Sequence, residues 1–349
     1  MSSTKGAAEL QRFFTKALAD PKRDALLDGA RRICAPLAAR MLTQAGIGAE
    51  TTTPFKLFDN ACGPGVVASE LQRLIKPAVL QQQSSILCGD FSPQLVELVQ
   101  QRAEHEGWVK TETKQIDAQV CDTRGSRTHP VPSLVSSPFH ISDPGPGSDQ
   151  EQRPCLCNIH PSHVTTNIGF HVIPDSKAAL DVSSTVTHKD QPCVSTPEAI
   201  RVLKPGGTLA LTTWHHRNAG WAADLQAAFA SFPFDAPCPV TQQTTRWGDW
   251  PDVNWVRKAL EQRSLERVQV DVFAFLVSVD GAEHFVAGFE GMMDWVMAGS
   301  WSEEARKEHG REEVFGRVRD FLEEKYEGGA WDQTWIGVVA TARLPEGGL

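Results

Sequence analysis

Segments with apolar residues at every third or fourth position alternate along this chain with short apolar runs closed by turn residues, the pattern of an α/β protein. Residues 7–18 and 24–45 show the helical spacing first, the second with Leu26, Leu27, Ala30, Ile33, Leu37 and Met41 on one face. Buried strands are predicted where the run through Leu57 and Phe58, and then the run through Ile86 and Leu87, enter tight turns. Toward the end, residues 268–279 read as a strand, 282–297 and 303–326 as helices, and 335–343 as a last strand. Strands that alternate with crossover helices imply a doubly wound, mostly parallel sheet.

The first two strand-to-helix turns carry chemistry. In Asp59-Asn60-Ala61-Cys62-Gly63-Pro64-Gly65 the glycines lack a Cβ, so the backbone turns tightly and lies against a ligand that a side chain would push away. Asp90, followed by Phe91-Ser92-Pro93, ends the next strand, where a carboxylate accepts hydrogen bonds from a ribose diol. Both turns fall at the carboxyl ends of parallel strands, beside the switch point where such sheets bind ligands. A nicotinamide site would offer Gly-x-Gly-x-x-Gly, and the third position here is Ala68, which disfavours an oxidoreductase.

The turn resembles the first motif of class I S-adenosylmethionine-dependent methyltransferases, with Ala61 standing where many relatives have glycine. That resemblance implies S-adenosyl-L-methionine as cofactor, its methionine and ribose held by Asp59, Asn60, Ala61, Cys62, Gly63, Gly65, Asp90 and Phe91. Lys114-Gln115-Ile116-Asp117-Ala118-Gln119 is similar to the third-strand motif, which would set Asp117 and Ala118 beside the adenine. Residues 162–175 resemble the fourth strand and its loop, with Asn167 near the reacting end of the cofactor. Residues 201–214, with the turn Pro205-Gly206-Gly207 between a helix end and an apolar run, match best.

The resemblance covers residues 55–214 apart from two interruptions, and it is to small-molecule and quinone-type members, including those of fungal secondary metabolism. It implies a Rossmann-like sheet of seven strands, mostly parallel, with an antiparallel C-terminal hairpin. Residues 51–349 would form the methyltransferase domain, with a helical lid at about 280–330 inserted where members build acceptor specificity. Residues 1–50 would form a helical cap over the cofactor; packing on the sheet edge is the other reading of those helices.

The interruptions break the periodicity. Residues 120–161 are rich in Pro, Ser, His and Gly, which reads as disorder and not as an added domain, and residues 182–197 split what should be one helix. Excising the second joins 176–181 to 198–204, with Ala179, Leu180, Ala199, Ile200, Val202 and Leu203 on one face. Two retained introns account for this, since Val120-Cys121 and Val182-Ser183 are encodable by common splice-donor sequences. Two genuine surface loops are the alternative. Reads from transcripts decide between them.

Charge and composition narrow the partners. A net charge of -9 gives no electrostatic footprint for nucleic acid, so nucleic-acid methylation is disfavoured. No apolar run is long enough to span a bilayer and no signal-peptide hydrophobic region follows Met1, so a cytoplasmic protein without membrane partners is expected. Cys34, Cys62 and Cys88 read as reduced core thiols, and Cys155-Leu156-Cys157 has the wrong spacing for zinc, so no metal is expected. Oligomeric state stays open.

Nine of the ten tryptophans lie from Trp214 onward. Trp214, Trp247 and Trp250 are candidates for stacking on an aromatic or polyketide-like small-molecule acceptor, with core filling as the plainer reading. His171 and His215, on loops after the fourth and fifth strands, are candidate general bases, with solvent-exposed or structural histidines as the alternative and His216 a weaker candidate. The expected activity is methyl transfer to a small organic acceptor; the alternative is a cofactor-binding regulator or partner subunit without catalysis.

Overall fold

The computed structural model describes residues 23–116, 160–170, 198–239 and 248–348. Both inserts, the first predicted helix and the repaired helix upstream of residue 198 lie outside them. The described chain begins with helix α1 (Arg23–Gln44), then β1 (Lys56–Asn60), α2 (Val66–Leu74), α3 (Pro77–Gln83), β2 (Ser85–Asp90), α4 (Pro93–His105) and β3 (Thr111–Gln115). It resumes with β4 (His163–Asn167), a short α5 (Glu198–Arg201), β5 (Thr208–Trp214) and α6 (Trp221–Ala230). The last part is α7 (Val253–Glu261), β6 (Glu266–Val279), α8 (Ala282–Ser300), α9 (Glu303–Glu308), α10 (Arg311–Lys325) and β7 (Trp331–Arg343).

The strands form one seven-stranded sheet in the order β3-β2-β1-β4-β5-β7-β6. The first five are parallel; β7 runs antiparallel between β5 and β6, so the chain ends in a long hairpin. This is the Rossmann-like architecture expected from the sequence. The order reverses between β1 and β4, which puts the carboxyl ends of those strands at the switch point.

Strand alternation divides the core into two faces. Leu57, Ile86, Cys88, Ala210 and Val339 pack against Leu37, Ala38, Met41 and Leu42 of α1 and Val67, Ala68 and Leu71 of α2. Phe58, Val164, Leu209, Leu211 and Val338 face the other way, onto Ile200 of α5, Val256 and Leu260 of α7, and Trp250. A third cluster joins Leu225 and Phe229 of α6 to Phe285, Met293 and Val296 of α8 and Val314, Val318 and Leu322 of α10, the two long helices of the hairpin insertion.

Two features hold α1 on its face. A Cβ at Gly337 would sit 2.4 Å from the Leu37 side chain, so only glycine there lets the helix approach β7. Arg40 also pairs with Asp271 of β6 at 3.2 Å. Among the described residues no helix is long and apolar enough to cross a membrane.

Candidate active site

The glycine turn after β1 is a left-handed excursion that the sequence pays for at one position. Ala61, Gly63 and Gly65 have φ of 55°, 54° and 79°. Glycine adopts this region freely, whereas Ala61 carries a steric cost of about 1 kcal/mol. The turn is braced from below, where Cys62 N donates to Gly89 O at 2.9 Å, and from outside, where Arg102 donates to Pro64 O.

The two glycines do different work. A Cβ at Gly65 would meet Val99 at 3.1 Å and Trp108 at 3.2 Å, so this glycine serves packing against α4. Among the described residues a Cβ at Gly63 would meet nothing within 4 Å. Gly63 therefore borders open space, as a backbone that cradles a ligand must.

Asp90 closes the turn. Its Oδ2 accepts from Gly63 N at 2.9 Å and its Oδ1 from Ser92 N at 3.0 Å, and Ser92 in turn caps α4 through Leu95 N. A carboxylate has about four acceptor sites, and backbone N–H groups of Gly63, Ser92 and Phe91 use three of them, which leaves one for a ribose hydroxyl. Burial raises this carboxyl, and the backbone N–H groups of Ser92, Gly63 and Phe91 offset only part of the rise. Phe91 is half-buried, and its carbonyl accepts from Gln115 Nε2 at 3.0 Å.

Asp59 lies next to this acid on the same face. It is 1% exposed; Oδ1 accepts from Thr165 Oγ1 at 2.8 Å, while Oδ2 has no partner among the described residues. Burial pushes this carboxyl up to about 7, against the Thr165 hydrogen bond and with a further rise from Asp90. Asn60, on the opposite face, leaves its buried Nδ2 unpartnered too. Unpaired buried polar groups are costly, and a carboxylate most of all, unless something else satisfies them.

These residues fit S-adenosylmethionine. Its ammonium matches the orphaned Asp59 oxygen, a ribose hydroxyl the remaining acceptor site of Asp90, and the open side of Gly63 gives the chain of the ligand room. Cys62 and Cys88 are free, buried thiols; contact with Cys88 and burial push Cys62 well above its ordinary value, so it packs as a neutral group.

Asn167 ends β4 and ties three elements together. Its Oδ1 accepts from Thr212 Oγ1 of β5 at 2.6 Å and its Nδ2 donates to Cys34 O of α1 at 3.3 Å. Two residues beyond Thr212, Trp214 ends β5 with its ring centroid 5.1 Å from that of Trp335 on β7. Asp59, Asn167, Thr212, Trp214 and Trp335 thus lie along one face of the sheet, running from a buried acid to aromatic rings.

The other predicted residues fall elsewhere. Trp250 is 0% exposed and stacked on Phe170 at 4.8 Å in the opposite core layer, so it fills the core and offers no surface to an acceptor. His215 is nearly buried, and its Nδ1 accepts from Arg217 N at 3.2 Å. That bond leaves the proton on Nε2, so neither nitrogen is free to act as a base. Burial, His216 and Arg217 also lower its pKa. Asp117, Ala118, His171 and Trp247 lie outside the described residues. Trp335, Phe289 and Trp221 were missed in the sequence because nothing local marks them; Trp335 meets Trp214 because β7 returns beside β5, Phe289 of the insertion meets Trp335, and Trp221 of α6 meets Phe289. Among the described residues no group of three His, Cys, Asp or Glu side chains is arranged to hold a metal.

No protein-family model matches the chain. Curated fungal proteins are similar to it over most of their length. Methyltransferase tpcH of Aspergillus fumigatus is 25% identical over 311 residues, 88% of this chain and 91% of that protein. Methyltransferase ktnA of Aspergillus niger is 27% identical over 294 residues, 83% of this chain and 84% of that protein. Acetylaranotin bis-thiomethyltransferase of Aspergillus terreus is 25% identical over 321 residues, 90% of this chain and 92% of that protein. Sheet order, glycine turn and these relatives agree: the chain is similar to class I S-adenosylmethionine-dependent methyltransferases. The chain is an enzyme that uses this cofactor to methylate a small organic molecule.

Proposed function

We propose that this methyl transfer serves secondary metabolism in the cytoplasm, on an aromatic or polyketide-like acceptor, with Asp59, Gly63 and Asp90 as the main cofactor contacts. The orphaned oxygen of Asp59 carries the reading: a buried carboxylate kept near its ionisation point is costly to the empty protein and useful to one that binds a cation.

When bound, S-adenosylmethionine supplies a sulfonium methyl already activated for displacement. The chain's part is then alignment and exclusion of water. Asp59 and Asp90 fix the two ends of the cofactor backbone, and Asn167 sets β4 against β5 and α1 at the reacting end. Trp214 and Trp335 keep water from the side where the acceptor enters. For an acceptor that must lose a proton, His171, which follows β4 in the sequence, is the proposed base; a kcat for His171→Ala within threefold of wild type would exclude it.

The test is transfer of labelled methyl from S-adenosylmethionine into a metabolite extract and into defined phenols, enols and thiols. Thiols are included because one relative is a bis-thiomethyltransferase. Label in a low-molecular-weight product is expected. Cofactor binding without transfer to any acceptor would favour the regulator reading instead.

A further inference from the structure

Trp335 breaks a rule that its neighbours obey. Buried indoles normally donate their N–H. Trp331 donates to Asp224 Oδ2 at 3.1 Å and Trp301 to Pro237 O at 3.1 Å. Trp335 is 3% exposed, and its Nε1 has no hydrogen-bond partner among the described residues.

Its position gives that exception a meaning. The Trp335 ring lies 5.1 Å from Trp214 and 6.4 Å from Phe289, and Phe289 lies 6.1 Å from Trp221. Trp214, Trp221 and Phe289 are each only partly buried, so this aromatic wall is not sealed into the core. The neighbouring glycine on α8, Gly288, borders open space in which a Cβ would meet nothing within 4 Å. Trp335 itself is held in place: a Cβ at Gly220 would come within 2.9 Å of its ring. A fixed ring with an unspent donor is preorganised for recognition.

We propose that Trp214, Trp335 and Phe289 form the acceptor-recognition surface, and that the acceptor is a planar aromatic molecule with an oxygen that takes the Trp335 indole N–H. The inference rests on the methyltransferase reading and names the substrate class of that site. Stacking selects for flatness, and the orphaned N–H selects for an oxygen at the ring edge. The wall lies on the sheet face that carries Asn167 and Asp59, so an acceptor stacked there is beside the reacting end of the cofactor.

Three probes of one skeleton separate the two selections: 1-naphthol, naphthalene, which lacks the oxygen, and decahydro-1-naphthol, which lacks the flat rings. Their binding to the protein saturated with S-adenosylhomocysteine is measured by equilibrium dialysis. Wild type is expected to bind 1-naphthol about fivefold tighter than naphthalene, the worth of one hydrogen bond. It should also bind 1-naphthol about fivefold tighter than the saturated alcohol, the worth of one aromatic contact. Trp335→Phe should abolish the first preference and keep the second, and Phe289→Leu should reduce the second and keep the first. Equal binding of 1-naphthol and naphthalene by wild type overturns the inference, as does an unchanged preference in Trp335→Phe. If Trp335→Phe does not fold, the wild-type comparison and Phe289→Leu still decide. Failure of wild type to bind S-adenosylhomocysteine overturns the methyltransferase reading instead; intact binding with no discrimination among probes overturns this inference alone.

Discussion

Gly63 donates its backbone N–H to Asp90 Oδ2 at 2.9 Å, so the glycine turn of β1 and the acid of β2 are one structural unit. Asp90 shapes the turn and is also a proposed cofactor contact. Asp90→Ala strands the N–H groups of Gly63 and Ser92. It should cost about 2 kcal/mol of stability and weaken S-adenosylmethionine binding at least tenfold. Chemical denaturation and titration calorimetry on the same variant check both.

The two glycines of the turn should separate under mutation. Gly65→Ala drives a methyl onto Val99 and Trp108 and is expected to destabilise by about 2 kcal/mol, strain and overpacking combined. Gly63→Ala meets no protein atom and should cost only the left-handed backbone penalty of about 1 kcal/mol. Its methyl would enter the space proposed for the cofactor, so affinity for S-adenosylmethionine should fall more in Gly63→Ala than in Gly65→Ala. The reverse order would assign the cradle to the wrong glycine.

Asp59 makes stability and binding respond oppositely to pH. Its folded pKa of about 7 lies above the ordinary value of 3.8, so its contribution to stability is fully present below pH 3.8 and is lost as pH rises through about 7. Asp59→Asn should therefore stabilise the ligand-free protein at pH 8, by roughly 2 kcal/mol after allowing for the altered Thr165 hydrogen bond. Cofactor binding needs the ionised carboxylate, so wild-type affinity should fall about tenfold between pH 8 and pH 6. A flat affinity profile over that range would remove Asp59 from the site.

Asp224 is the contrasting buried acid. It accepts from Lys325, Tyr326, Trp331 and Gln333, which joins α6 to α10 and β7. Burial raises this carboxyl, but the hydrogen bonds from Lys325, Tyr326 and Gln333 outweigh it and leave the pKa lowered. Its contribution is present above the ordinary value and lost as pH falls below it. Asp224→Ala should cost about 3 kcal/mol and raise the acceptor KM through the loosened insertion. S-adenosylmethionine affinity should stay within about twofold of wild type.

Much of the fold around the glycine turn was legible because its determinants are local. Gly63, Gly65 and Asp90 sit in turns whose conformations their own residue types demand, and Pro205-Gly206-Gly207 marks the entry to β5 for the same reason. The acceptor half was not legible. Trp250 looks like an exposed aromatic in a loop, yet its ring is stacked on Phe170 in the core. His215 sits at the right edge of the sheet, but a backbone N–H two residues on occupies its Nδ1. Trp335 joins Trp214 only because β7 returns beside β5, a pairing set by the whole hairpin and by no single motif.

The most direct test of the account is a calorimetric titration of S-adenosylmethionine, and separately of NADH, into wild type and Asp59→Asn at pH 8. The account predicts one S-adenosylmethionine site per chain, no NADH binding, and at least tenfold weaker S-adenosylmethionine binding by the variant although that variant is the more stable protein. Binding of NADH alone, or S-adenosylmethionine affinity unchanged by Asp59→Asn, would contradict it.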